Sequence, residues 1–89
     1  VINNGGTVLS SFGLIGFNAV ASNNVVLVTD TGSQWTNFNS VEVGTSGSGN
    51  LLIVSNGGVV ANNSGSIGNF AGGNNNMAVV TDTGSVWYN

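Results

Sequence analysis

Apolar residues fall along this chain in short runs: Val25-Val26-Leu27-Val28, Leu51-Leu52-Ile53-Val54 and Met77-Ala78-Val79-Val80, each followed by a cluster of polar residues and glycine. The runs begin at positions 25, 51 and 77, a constant offset of 26. Four or five apolar or β-branched residues between Gly, Asn and Ser clusters predict β-strands, and no stretch carries a helical period. In the middle unit the pattern predicts strands at Leu51–Ser55, Val59–Asn62 and Ser66–Phe70, with turns at Asn56-Gly57-Gly58, Asn63-Ser64-Gly65 and Ala71–Asn76. Three strands and three corners in about 26 residues make one coil of a solenoid.

A longer period lies over the shorter one. Val28-Thr29-Asp30-Thr31-Gly32-Ser33-Gln34-Trp35-Thr36-Asn37 returns 52 residues later as Val80-Thr81-Asp82-Thr83-Gly84-Ser85-Val86-Trp87-Tyr88-Asn89. The predicted architecture is therefore an all-β parallel β-helix (β-solenoid) with a 52-residue super-repeat. Residues 1–89 form one continuous segment, with coils at approximately 1–24 (partial), 25–50, 51–76 and 77–89 (partial). Stacked coils place like residues above one another at ~4.8 Å, the inter-strand spacing.

A gap-free offset of 26 assigns the columns. Val26, Leu52 and Ala78, and Val28, Val54 and Val80, are expected to point inward from the first strand. On the second strand Ser33/Trp35, Val59/Ala61 and Ser85/Trp87 alternate, so Ala61 is expected to compensate the volume of Trp35 and Trp87 in neighbouring layers. Ile15, Val41 and Ile67 form the expected inward column of the third strand. The expected core stack is thus Val26, Val28, Trp35, Val41, Leu52, Val54, Ala61, Ile67, Val80 and Trp87. Gly6, Gly32, Gly58 and Gly84 share a column, read as a corner that needs positive φ. Asn24, Asn50 and Asn76, and Asn37, Asn63 and Asn89, are read as corner ladders in which amides bond between coils.

The positions between the inward ones are apolar too. Val1, Leu27, Ile53 and Val79 form one outward column, and Val25, Leu51 and Met77 another, with Val8, Val60 and Val86 expected outward on the second strand. A strand that is apolar on both faces is normally covered on both, and contiguous apolar surface marks an interface. Val1, Val25, Leu27, Leu51, Ile53, Met77 and Val79 are therefore candidates for lateral contact with another copy.

The run Thr29–Asn37, then Val41-Glu42-Val43-Gly44, then Ser46–Val60, resembles the repeat of bacterial autotransporter passengers and of PEP-CTERM-associated surface proteins. That repeat runs approximately V-x-G-x-G-S-x-W-x-N, then L-x-V-G-x-x-G-x-G-x-L-x-I-S-N-G-G-x-V. The match covers one full copy and parts of two others. The resemblance implies a right-handed parallel β-helix in a secreted, usually very long chain. Thr-Asp-Thr at positions 29–31 departs from the family's Gly-rich corner, as does the absence of basic residues.

Composition narrows the chemistry. The chain has 89 residues, with no Lys, Arg, His, Cys or Pro, and its only acids are Asp30, Glu42 and Asp82, for a formal charge of −3. Nucleic acid needs cations against phosphate and is excluded as a partner; no apolar run is long enough for membrane insertion. Without Cys there is neither a disulfide framework nor a thiolate metal site. The chain begins at Val1, not Met, and has no signal-peptide pattern, which points to a piece of a longer or processed chain. Trypsin finds no cleavage site, which suits an extracellular or cell-surface material.

Asp30 and Asp82 share an expected column with Asn56 between them, so their carboxylates stand roughly 9.6 Å apart on strand spacing. That separation is compatible with an inverting glycosidase, but the column is a corner, where Asp and Asn are ordinary turn residues, and no base, nucleophile or cationic clamp accompanies them. No enzyme, metal site or cofactor is expected; calcium needs more oxygens than this column supplies. Thr29-x-Thr31 and Thr81-x-Thr83 resemble the Thr rows of solenoid antifreeze proteins, but Ser55-Asn56-Gly57 interrupts the row. Outward-facing Trp35 and Trp87 could stack on sugar rings. The expected function is that of a structural repeat in an extracellular bacterial fibre or surface filament, whose partners are copies of itself, end to end and lateral. The alternative is an adhesin-like passenger stalk that binds glycans or a host surface.

Overall fold

The computed structural model describes all residues, 1–89. It contains ten strands and no helix: β1 (Thr7–Ser10), β2 (Gly13–Ile15), β3 (Val25–Thr29), β4 (Gln34–Asn37), β5 (Ser40–Val43), β6 (Leu51–Ser55), β7 (Val59–Ala61), β8 (Ser64–Ile67), β9 (Met77–Val80) and β10 (Val86–Tyr88). They form three parallel sheets, with orders β3-β6-β9, β1-β4-β7-β10 and β2-β5-β8. Every third strand pairs with its counterpart about 26 residues on, and Ile2 bridges to Val28 below β3. The molecule is a β-solenoid of about three turns, measuring 35 × 22 × 17 Å.

Inward residues of the three sheets meet in one narrow core: Ile15, Val28, Trp35, Val41, Val43, Leu52, Val54 and Val60, with Ile2, Val26, Ala78 and Trp87 packed against it. Burial of each such aliphatic side chain stabilises the fold by roughly 1.5–3 kcal/mol. β-Branched residues suit these positions because their stiff χ1 matches the pleat of a buried strand.

The first sheet keeps the constant offset. Val26 pairs with Leu52 and Leu52 with Ala78; Val28 pairs with Val54 and Val54 with Val80. The other two sheets do not keep it. In the second sheet Trp35 lies beside Val8 and Val60, and Trp87 beside Val60. Val60 is fully buried and compensates the two rings. Ala61 lies between Thr36 and Tyr88 in an outward column, outside the core cluster. Val60 is therefore not an outward residue; Ala61 is buried, at 8% exposed, but stands outside the cluster around the two rings. In the third sheet Ile15 pairs with Val43 and Val43 with Ile67, whereas Val41 lies between Gly13 and Gly65. The third strand of the middle coil is Ser64–Ile67, two residues ahead of the expected Ser66–Phe70.

The shifts come from the corners. From the first sheet to the second, Val28 to Trp35 spans seven residues, but Ile2 to Val8 and Val54 to Val60 span six. From the second sheet to the third, Trp35 to Val41 spans six, but Val8 to Gly13 and Val60 to Gly65 span five. On the return to the first sheet, Val43 to Leu52 spans nine, but Ile15 to Val26 and Ile67 to Ala78 span eleven. Two corners lengthen by one residue and the third shortens by two, so the coil length is unchanged while the columns slide.

The first corner takes two forms. Asn4-Gly5 and Asn56-Gly57 each have two consecutive residues at positive φ, closed by Gly6 N–H to Asn3 C=O at 2.9 Å and Gly58 N–H to Ser55 C=O at 2.9 Å. This is the I′ pattern for which Asn-Gly is favoured. In Asp30-Thr31-Gly32-Ser33 and Asp82-Thr83-Gly84-Ser85 the acid and the glycine have positive φ, and Ser33 N–H and Ser85 N–H close on Asp30 and Asp82 C=O. In this corner the glycines at positive φ are thus Gly5, Gly32, Gly57 and Gly84. Gly6 and Gly58 have ordinary φ; Gly58 is glycine because a Cβ would stand 2.5 Å from the Val28 carbonyl oxygen.

Candidate functional site

The three carboxylates are spent on local structure. Asp30 Oδ2 accepts from Asn4 N–H at 3.0 Å and Ser33 Oγ from Gly5 N–H at 3.0 Å. Two coils further up, Asp82 Oδ2 accepts from Asn56 N–H at 3.2 Å and Ser85 Oγ from Gly57 N–H at 2.9 Å. The Asp-Thr-Gly-Ser corner is therefore a lid on the Asn-Gly corner below, filling donors that the tight turn leaves free. Glu42 Oε2 accepts from Thr45 Oγ1 at 2.7 Å and, at 3.5 Å, from Asn69 Nδ2. The threonine row is engaged too: Thr29 Oγ1 accepts from Ser55 Oγ at 3.0 Å and Asn56 Nδ2 at 3.3 Å.

The two tryptophans face inward. Trp35 is 8% exposed, and its Nε1 donates to Ser10 Oγ at 3.3 Å, which donates to Asn37 Oδ1. Trp87 is half-buried, and its Nε1 donates to Asn62 Oδ1 at 2.6 Å; Asn62 Nδ2 in turn donates to Ser64 C=O at 2.6 Å and to Asn89 Oδ1. Each ring lies over a glycine of the third sheet: a Cβ on Gly13 would fall within the Trp35 ring, and one on Gly65 would stand 2.8 Å from Trp87 Cζ2. In this corner Asn62 is bonded to Asn89, whereas Asn37 is bonded to Ser10 and not to Asn62; Asn63 is exposed outside this pair. Asn37 Nδ2 is buried without a partner.

The Asn24–Asn50–Asn76 ladder is directional. Asn50 Oδ1 accepts from both Asn24 N–H and Asn24 Nδ2 at 2.9 Å, and Asn76 Oδ1 accepts from Asn50 N–H at 2.8 Å and Asn50 Nδ2 at 3.1 Å. The spare amide hydrogens of Asn50 and Asn76 go to Ala21 C=O and Gly47 C=O.

The first sheet presents the apolar outer face. Val25, Leu51 and Met77 are in register, as are Leu27, Ile53 and Val79. Val25 and Met77 are 60% and 57% exposed, Val1 is exposed beside this face, and the other four are half-buried. Of the inward residues, Val28, Trp35, Val41, Leu52 and Val54 are buried, and Val26 and Trp87 half-buried. Val80 and Ile67 point inward but are 46% and 48% exposed, because each lies in the last strand of its sheet and no layer covers it. Sequence reasoning missed Gly13, Gly65, Val43 and Val60. The signal that could have found them was the unequal length of Asn-Gly-Gly and Asp-Thr-Gly-Ser corners, together with a glycine five residues after each valine that pairs with a Trp.

No family model, curated protein or solved structure matches this chain.

Proposed function

We propose that this chain is a structural repeat segment of an extracellular bacterial fibre or surface filament, with coils continuing end to end and the first sheet packing laterally against a second copy. The observation that carries this reading is the outer face of β3, β6 and β9: two columns, Val25-Leu51-Met77 and Leu27-Ile53-Val79, with no polar side chain in either. A flat apolar face on a parallel sheet is covered in stable proteins, and a like face on a second copy is chemically suited to it.

The amide ladder supports the axial half of the reading. Each lower Asn donates upward, so Asn76 N–H at one end and Asn24 Oδ1 at the other are complementary in kind, as a head-to-tail contact requires. The two forms of the first corner alternate as lid and turn, which fits a 52-residue super-repeat of two unlike coils. The location outside a bacterial cell follows the resemblance to autotransporter and PEP-CTERM-associated repeats and the absence of Lys and Arg. The glycan-binding stalk loses its aromatic platform, since Trp35 and Trp87 turn their ring N–H groups into the corner.

Ile53→Lys tests the lateral contact. Ile53 is half-buried and outward, so a lysine stem fits without disturbing the core. We expect lateral association in sedimentation velocity to weaken at least about tenfold, with an unchanged circular dichroism spectrum. Association that persists at wild-type strength would remove the lateral interface from the account.

A further inference from the structure

Asn-Gly occurs twice in the sequence, at Asn4-Gly5 and Asn56-Gly57, and both copies form the same tight corner. Asparagine before glycine is prone to deamidation, because the glycine nitrogen, with no Cβ beside it, can attack the Asn side-chain carbonyl. Asn56 is exposed, so water reaches it. Yet each group that the reaction must free is held. Gly57 N–H, whose nitrogen is the nucleophile, donates to Ser85 Oγ at 2.9 Å, and Asn56 N–H donates to Asp82 Oδ2 at 3.2 Å. Asn56 Nδ2, the leaving group, donates to Thr29 Oγ1 of the coil below at 3.3 Å. The peptide has little room to turn over: a Cβ on Gly57 would stand 2.9 Å from Thr31 Oγ1 and 3.3 Å from Thr31 Cα. The first corner repeats the backbone part of this guard, with Gly5 N–H on Ser33 Oγ and Asn4 N–H on Asp30 Oδ2, both at 3.0 Å.

We propose that Asn4 and Asn56 are modification sites, deamidated when their corner opens, and that the serine of the overlying Asp-Thr-Gly-Ser corner keeps each one closed. In the open corner Gly57 N gives its proton to hydroxide and attacks Asn56 Cγ. The N–Cγ bond forms, the Cγ–Nδ2 bond breaks, and ammonia leaves with a proton from water. Residues 56 and 57 then share a succinimide ring, and water opens either ring carbonyl to give aspartate or isoaspartate. Neither product restores the corner. Both place a second carboxylate beside Asp82, and like charges in neighbouring coils repel. Isoaspartate also adds a backbone atom between Val54 and Val60, in the corner whose length sets the alignment of the second sheet. A coil that has opened is thus chemically marked and does not close as before. All the groups of this site lie within one chain, so it stands whether or not the sheet face self-associates.

The test follows deamidation of residues 1–89 by tandem mass spectrometry of chymotryptic peptides, since trypsin finds no site, with isoaspartate labelled by its methyltransferase. At mildly alkaline pH the folded chain should convert Asn4 and Asn56 at least about tenfold more slowly than the same chain unfolded in urea. Ser85→Ala should raise the rate at Asn56 by about threefold or more, the weight of one net hydrogen bond, and leave Asn4 unchanged. Ser33→Ala should do the reverse. A general loss of stability raises both sites together, so the contrast between the two sites separates the guard from folding. Equal rates in the folded and the urea-unfolded wild type would overturn the proposal without any variant. So would serine variants that raise neither rate, or both alike.

Discussion

At the scale of single residues, glycine does two different things in this fold, and substitution separates them. Gly32 has φ +88 and open space where a methyl group would be added, the nearest atom being Gly5 Cα at 3.7 Å, so Gly32→Ala should cost only the left-handed strain of about 1–2 kcal/mol. Gly58 has ordinary φ but lies against the Val28 carbonyl of the coil below. Gly58→Ala must push two backbones apart, and we expect a cost above about 2 kcal/mol, measured as the difference in urea midpoint multiplied by m. The tryptophan nooks give a second comparison. Gly13 is buried under Trp35, whereas Gly65 is exposed beneath a half-buried Trp87 that has free space beside it. Gly13→Ala should therefore destabilise by about 1–3 kcal/mol and Gly65→Ala by clearly less; equal losses in denaturant titrations would show that the two rings are equally confined.

At the scale of elements, the corners decide what the strands can align. The first sheet was legible from the apolar runs alone, because its offset is constant and Leu52, Val54 and Val28 recur in register. The second and third sheets were not. A Trp at positions 35 and 87 invites a partner at 61, yet the extra residue of Asp30-Thr31-Gly32-Ser33 slides the strand so that Val60 takes that place. Val41 and Val43 are equally apolar and differ in column only through the length of the next corner. Compensating length changes are invisible to a gap-free comparison, and no local propensity reports them. The Asn24–Asn50–Asn76 ladder survived because it closes the corner that restores the common register. Asn50 is 1% exposed and bonded on both sides, while Asn76 has a coil on one side only. Asn50→Ala should cost about 2–3 kcal/mol through its stranded backbone and amide partners, and Asn76→Ala less, with hydrogen exchange at Asn24 and Leu51 accelerating first in the Asn50 variant.

At the scale of the whole molecule, the chain is a stack of parallel strands with an apolar outer sheet and a directional amide ladder. Each of its three carboxylates holds a corner or a loop. The apolar outer sheet and the directional ladder support the proposed contact with further copies. The most direct test of that account is electron microscopy of the assembled wild-type protein, with diffraction calculated from the images. The account predicts filaments with a meridional repeat of ~4.8 Å, the spacing of strands stacked along the axis, and bundles wider than one solenoid. Dispersed particles of single-chain size at every protein concentration would contradict it.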